Sequence, residues 1–147
     1  MKFLISCTCC FLFFTIGFAQ EVKTTFYTGK VNNRSIRLYL KEEGNDCGAT
    51  PLYSAIYQYG NGKNWIELLI QSDEKGRFGM TEYRFTGILI LKKTPNGLEG
   101  IWISPDGNTQ LKVILKKQAL SSKLKEELEE GLERTHYEIS VNSFVYL

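Results

Sequence analysis

Apolar and polar positions alternate with a period of two over most of this chain, the period at which a strand turns successive side chains to opposite faces of a sheet. The clearest instance is Ile101-Trp102-Ile103-Ser104-Pro105-Asp106-Gly107-Asn108-Thr109-Gln110-Leu111-Lys112-Val113-Ile114-Leu115-Lys116, two alternating runs around a Pro-Asp-Gly turn. Moved back 45 residues without a gap, it lies over the stretch from Ile56-Tyr57-Gln58-Tyr59 to Ile66-Glu67-Leu68-Leu69-Ile70-Gln71. Each copy has an aromatic after an initial Ile, a Gly-containing turn and an alternating aliphatic second strand. The match predicts two hairpins of one design.

The same alternation predicts strands at about 24–31, 36–41, 53–59, 65–71, 77–85, 87–93, 98–104 and 109–117. Ile36, Leu38 and Leu40 form one face against Arg37, Tyr39 and Lys41, which would face water or a polar cavity; Tyr53, Ala55, Tyr57 and Tyr59 share a side opposite Ile56. Gly87-Ile88-Leu89-Ile90-Leu91 reads as a strand buried on both sides for part of its length. Turn signals at Asn32-Asn33, Gly60-Asn61-Gly62, Asp73-Glu74-Lys75-Gly76 and Asn96-Gly97 separate the runs. Short strands so spaced predict a mainly β fold, an antiparallel up-and-down meander of about eight strands closing into a small barrel or folding as a sandwich. Beyond Ala119 the period changes: Leu120, Leu124, Leu128 and Leu132 recur every fourth residue, and Ser121 or Ser122 can cap the start. One C-terminal α-helix is predicted at about 121–133, its narrow leucine stripe suited to docking on a sheet or closing a barrel end. Gly131 weakens its last turn, and the run from His136 to Leu147 has strand character again.

The amino terminus has a different pattern. Lys2, an apolar run from Phe3 to Phe18, and small residues Gly17 and Ala19 before Gln20 predict a cleaved secretory signal at 1–19 and a single β domain at 20–147. The run is shorter than the roughly 20 residues of a spanning helix and is broken by Ser6, Thr8, Thr15 and Gly17, so a secreted or periplasmic protein without a transmembrane segment is expected. Leu4-Ile5-Ser6-Cys7 has the residue types of a lipoprotein box, but it leaves too short an apolar region after Lys2 for lipid anchoring. Loss of the signal removes Cys7, Cys9 and Cys10, so Cys47 has no internal disulfide partner. Charge is split: from Gln20 to Ala119 there are 14 Lys and Arg against 10 Asp and Glu, and from Leu120 onward 3 against 6. Neither value argues for nucleic acid or an anionic membrane as partner.

Catalytic constellations are sparse. The one histidine, His136, would have to serve any triad, Cys-His pair or histidine metal site, and nothing in the sequence places a partner beside it. The carboxylate pairs Glu42-Glu43, Asp73-Glu74, Glu126-Glu127 and Glu129-Glu130 sit in turn or helix-surface contexts rather than in unlike, partly buried surroundings. Asp106-Gly107-Asn108 lacks the other ligands of a calcium loop, and no glycine cluster has the strand-loop-helix setting of a phosphate cradle. No catalytic residue, metal site or cofactor is expected. The aromatic residues Tyr57, Tyr59, Trp65 and Trp102 are candidates to line a pocket, with Arg37, Tyr39 and Glu67 as its polar groups. The same rings serve equally as core and cross-strand pairs.

Gly100-Ile101-Trp102, followed by a turn and an alternating strand, resembles the Gly-x-Trp hairpins of lipocalin-like and avidin-like up-and-down barrels. The plan of signal, short strands and a Lys/Glu helix is similar to uncharacterised secreted bacterial β proteins, a resemblance that implies no activity. The expected function is a non-catalytic binding module with an unknown small ligand or protein partner at an aromatic and polar face of the barrel. The alternatives are an amino-terminal structural β domain of a longer secreted protein, suggested by the strand-like end at Leu147, and a hydrolase.

Overall fold

The computed structural model describes residues 21–45, 50–62, 64–73 and 75–144; the expected signal at 1–19, the four cysteines and Leu147 lie outside them. Eight strands follow in chain order: β1 (Val22–Val31), β2 (Arg34–Glu43), β3 (Leu52–Tyr59), β4 (Ile66–Ser72), β5 (Arg77–Glu82), β6 (Ile88–Thr94), β7 (Gly97–Ile103) and β8 (Gln110–Gln118). Each pairs antiparallel with the next, and β8 returns to pair with β1, so the sheet is a closed up-and-down barrel. One helix, α1 (Ser122–Phe144), follows.

The two matched hairpins are β3–β4 and β7–β8, and they share one register. Tyr57 pairs with Ile66 and Ile56 with Glu67; 45 residues on, Trp102 pairs with Leu111 and Ile101 with Lys112. In both copies the aromatic faces the interior and the Ile before it faces outward.

Closure gives every strand an inner face. Tyr27, Leu38, Leu40, Tyr57, Leu68, Phe78, Met80, Leu89, Leu91, Leu98, Val113 and Leu115 all point inward and are buried in one cluster. Eight strands enclose a space that such side chains just fill, and each is worth about 1.5–3 kcal/mol for leaving water. Gly100 lets the wall curve: a Cβ there would lie 1.9 Å from the Ile90 carbonyl oxygen.

The helix packs on the outside. Leu128 and Leu132, with Leu124 at their side, cover Phe26, Tyr39 and Ile56, the outward residues of β1, β2 and β3. The face of β2 that carries Arg37, Tyr39 and Lys41 is therefore only partly open to water: Tyr39 is fully buried beneath the helix, while Arg37 and Lys41 stay partly exposed. Ser121 caps α1, its Oγ accepting from the Leu124 N–H at 3.3 Å.

Three local expectations are corrected. The helix does not stop near 133, and the residues from His136 are helical as far as Phe144 rather than a strand. Gly131 is the point of closest approach, with Ile56 and Trp65 3.4–3.5 Å from where its Cβ would be, so it seats the helix there. Thr135 is buried and donates to the Gly131 carbonyl at 2.7 Å, which keeps a β-branched residue in helical conformation. The strand expected to reach 85 ends at Glu82, because Arg84 and Phe85 adopt left-handed φ of 65° and 56° in a 3-10 turn over Tyr83–Phe85. Finally, β6 is buried on one side only: Leu89 and Leu91 face in, while Ile90 is 48 % exposed.

Gly100→Ala should cost about 2 kcal/mol or more, because the clash is with backbone. Gly79→Ala, whose Cβ would meet nothing within 4 Å, should stay within about 0.5 kcal/mol. Denaturant midpoints compare the two, and equal effects would contradict the tight wall at Gly100.

Candidate functional site

The barrel has two unlike ends. The end bearing the 32–33, 60–65, 83–87 and 104–109 connections is plugged around one carboxylate. Glu82, at the end of β5, is buried, and Tyr57 from β3 donates its phenol to Oε1. Trp102 from β7 donates Nε1–H to the same oxygen at 2.6 Å, and Thr86 donates its hydroxyl to Oε2 at 2.6 Å. Tyr57 and Trp102 are the twin aromatics of the repeated hairpin, so the repeat brings them together on one acceptor. Tyr59 packs edge-on against Tyr57, rings 5.2 Å apart, with its hydroxyl 3.2 Å from that of Tyr57. Gly87 makes room: a Cβ there would lie 2.2 Å from Trp102 Nε1. Burial first, then the bonds to Glu82 and Tyr59, hold the Tyr57 phenol far above its ordinary value of 10.0. Three donors satisfy an otherwise costly buried carboxylate.

The outer cluster under α1 holds the other four candidates. Tyr39 donates its hydroxyl to Glu129 at 2.5 Å, and Glu129 is 3.8 Å from Lys41. Burial, then the bond to Glu129, raises the Tyr39 phenol well above the usual range. Arg37 lies over the Trp65 ring at 5.4 Å and donates Nη2–H to the buried Gln58, while its Nε has no protein partner among the described residues. Glu67 sits 2.9 Å from His136 Nδ1, a partner that sequence reasoning did not find. Sheet parity thus puts Tyr57, Tyr59 and Trp102 inside and Arg37, Tyr39 and Glu67 outside, with Trp65, just before β4, packed in the outer cluster against the helix.

At the opposite end the barrel opens. A cavity of about 190 Å³ is walled by Lys23, Thr25 and Tyr27 of β1, Leu40 and Glu42 of β2, Lys93 and Thr94 of β6, and Lys117 of β8. Leu40, Thr25 and Tyr27 are nearly buried and make its floor. Lys93 reaches across to Glu42 on the facing wall at 3.8 Å, its ammonium 5.1 Å from the Phe78 ring centre. Lys23 and Lys117 form no ion pair among the described residues. Three ammonium groups thus face one carboxylate around a small recess with three hydroxyls, those of Thr25, Tyr27 and Thr94. Burial raises the Tyr27 phenol, opposed by a hydrogen bond with Thr25, so Tyr27 stays a neutral donor at physiological pH.

None of these lining residues stood among the sequence candidates, yet a signal existed. Each charge is one alternation step beyond an inward residue: Lys23 beyond Thr25, Glu42 beyond Leu40, Lys93 beyond Leu91 and Lys117 beyond Leu115. Among the described residues no group of His, Cys, Asp or Glu converges to hold a metal ion, and no helix is long and apolar enough to cross a membrane. Comparison of the chain with family models, curated proteins and solved structures found no match.

Tyr57→Phe should destabilise the fold by about 1–3 kcal/mol, since it takes one donor from a buried carboxylate. Tyrosines of the unfolded chain lose their protons near pH 10.0, whereas folded Tyr39 and Tyr57 keep theirs. Stability should therefore fall as pH rises above 10.0, and be unaffected by these groups below it. Urea unfolding along an alkaline pH series should show a shallower decline for Tyr39→Phe and Tyr57→Phe than for the parent chain. An unchanged slope in both variants would contradict the burial of these phenols.

Proposed function

We propose that this protein is a secreted, non-catalytic binding module that takes a small anionic ligand, a carboxylate or phosphate group, in the lysine-lined opening of the barrel. One observation carries the reading: the 190 Å³ recess is lined by Lys23, Lys93 and Lys117 against the single carboxylate of Glu42. The packed interior below it excludes a large apolar guest. Pockets for drug-sized ligands run to about 300–1,000 Å³, so this recess suits a compact anion or the charged end of a longer molecule. Thr25 and Tyr27 add neutral donors, and Leu40 supplies an apolar floor. Mouths of closed barrels are recurrent ligand sites, and the Gly100-Ile101-Trp102 resemblance to lipocalin-like and avidin-like barrels agrees with that use. Export rests on the Lys2, Phe3–Phe18 and Ala19 pattern.

Titration of the full chain with inorganic phosphate and with citrate at low salt, followed by amide NMR, tests the reading. Saturable shifts should concentrate on β1, β6 and β8 and weaken with salt. Lys23→Gln and Lys117→Gln should each lower affinity about tenfold, the equivalent of about 1.4 kcal/mol. Glu42→Gln should raise it, because the recess loses its one negative charge. Shifts that fail to saturate at millimolar anion, or affinity indifferent to all three variants, would overturn the proposal.

A further inference from the structure

The two copies of the hairpin share a register but not a fate on the outer surface. Ile56 is fully buried beneath α1, whereas its twin Ile101 is only partly buried. Around Ile101, Leu69 of β4, Ile88 and Ile90 of β6 and Ile103 of β7 are apolar residues at outward positions. Leu69, Ile88 and Ile103 fall in one cross-strand row, through Thr81, and Ile90 and Ile101 are direct partners in the next. Such partners lie about 5 Å apart, so these side chains form one continuous surface. Leu69 is 62 % and Ile90 48 % exposed. Gly79, in the row of Ile90, leaves bare backbone where a Cβ would meet nothing within 4 Å.

The rim of this surface is basic. Lys92, Lys112 and Lys30 are outward and exposed around it, against Glu99, while Arg77 at its edge is paired with Asp73 at 2.5 Å. The whole chain carries only +2 because the stretch from Leu120 onward, with 3 Lys and Arg against 6 Asp and Glu, offsets the excess of basic residues before it. The overall charge therefore hides a local cationic face, which the sequence totals could not reveal.

We infer that this face docks an acidic amphipathic helix of a partner protein. The chain holds its own example of the contact. On the β1–β3 side, leucines of α1 cover outward apolar residues, and Glu129 reaches Lys41 and Tyr39. The twin positions show what changes on the uncovered side. Glu67 meets the basic-capable His136 of the helix above it; its counterpart Lys112 calls for a carboxylate at the same place. The open spot at Gly79 fits the knob of a leucine from such a helix, as the space over a small residue commonly does in helix packing. The leucines of α1 are spent on its own barrel, so the occupant comes from another protein.

A labelled synthetic peptide of residues 120–144 serves as the probe, since it carries the leucine and glutamate pattern in question. Added to the full-length mature chain, it should bind saturably by fluorescence anisotropy and shift amides of β5 to β8. Ile90→Glu and Lys112→Glu, both at exposed positions, should each weaken binding at least tenfold. They should leave the thermal midpoint and the phosphate-induced shifts at the lysine-lined opening unchanged, which separates this surface from that site. No peptide binding, or binding that maps to Phe26, Tyr39 and Ile56 by displacing α1, would overturn the inference. So would co-flotation of the chain with phosphatidylglycerol vesicles lost in Ile90→Glu, which would assign the face to a lipid surface. A peptide-free dimer abolished by Ile90→Glu in sedimentation would assign it to a second copy and equally overturn the inference.

Discussion

The ladder between β1 and β8 is the constraint on which the rest of the molecule depends. From Phe26 opposite Gln118 to Val31 opposite Val113, it joins the first and last strands of the meander and removes the two edges an open sheet would expose. Once the sheet is closed, each residue of every strand belongs either to the interior or to the outside. The interior is filled by aliphatic side chains with Tyr57, Phe78 and Met80 among them. Polar chemistry is thereby confined to the two ends and the outer wall.

The ends solve the problem of polar groups in a small barrel in opposite ways. At the plugged end Glu82 is withdrawn from water, and its desolvation is offset by hydrogen bonds from Tyr57, Trp102 and Thr86. Removing any of these donors exposes the cost of burying a charge. At the open end the ammonium groups of Lys23, Lys93 and Lys117 remain near solvent, where their charge needs no internal partner. The first arrangement is a structural lock with its hydrogen bonds satisfied; the second has positive charge in excess, which is what the proposed anion site rests on.

Much of the fold was legible because alternation and turns are local signals. The shift of 45 residues between the hairpins proved a true structural equivalence, carrying Tyr57–Ile66 onto Trp102–Leu111. What was not legible depended on contacts distant in sequence. Thr135, Ile139 and Val141 favour strands intrinsically, yet the docking of Gly131 against Ile56 and Trp65 extends the helix through them. Ile88 and Ile90 look like residues of a doubly buried strand, but the helix covers a different part of the barrel. The division of the candidates into an inner lock and an outer helix seat follows from which face each strand turns inward; Tyr57 and Trp102 are engaged by Glu82, Tyr39 by Glu129 and Glu67 by His136. The lysines of the open end were not singled out because which of Lys92-Lys93 and Lys116-Lys117 turns inward depends on the parity of the closed sheet, which sends the second of each pair inward.

Everything assigned to the inside, the ends and the two outer faces rests on the sheet being continuous around the barrel. Native-state hydrogen exchange of the chain tests this most directly. The account predicts that amides of the paired segments 26–31 and 113–118 are protected as strongly as those of the central β6–β7 ladder. Rapid exchange confined to β1 and β8, with β6 and β7 still protected, would mean an open sheet and would contradict it.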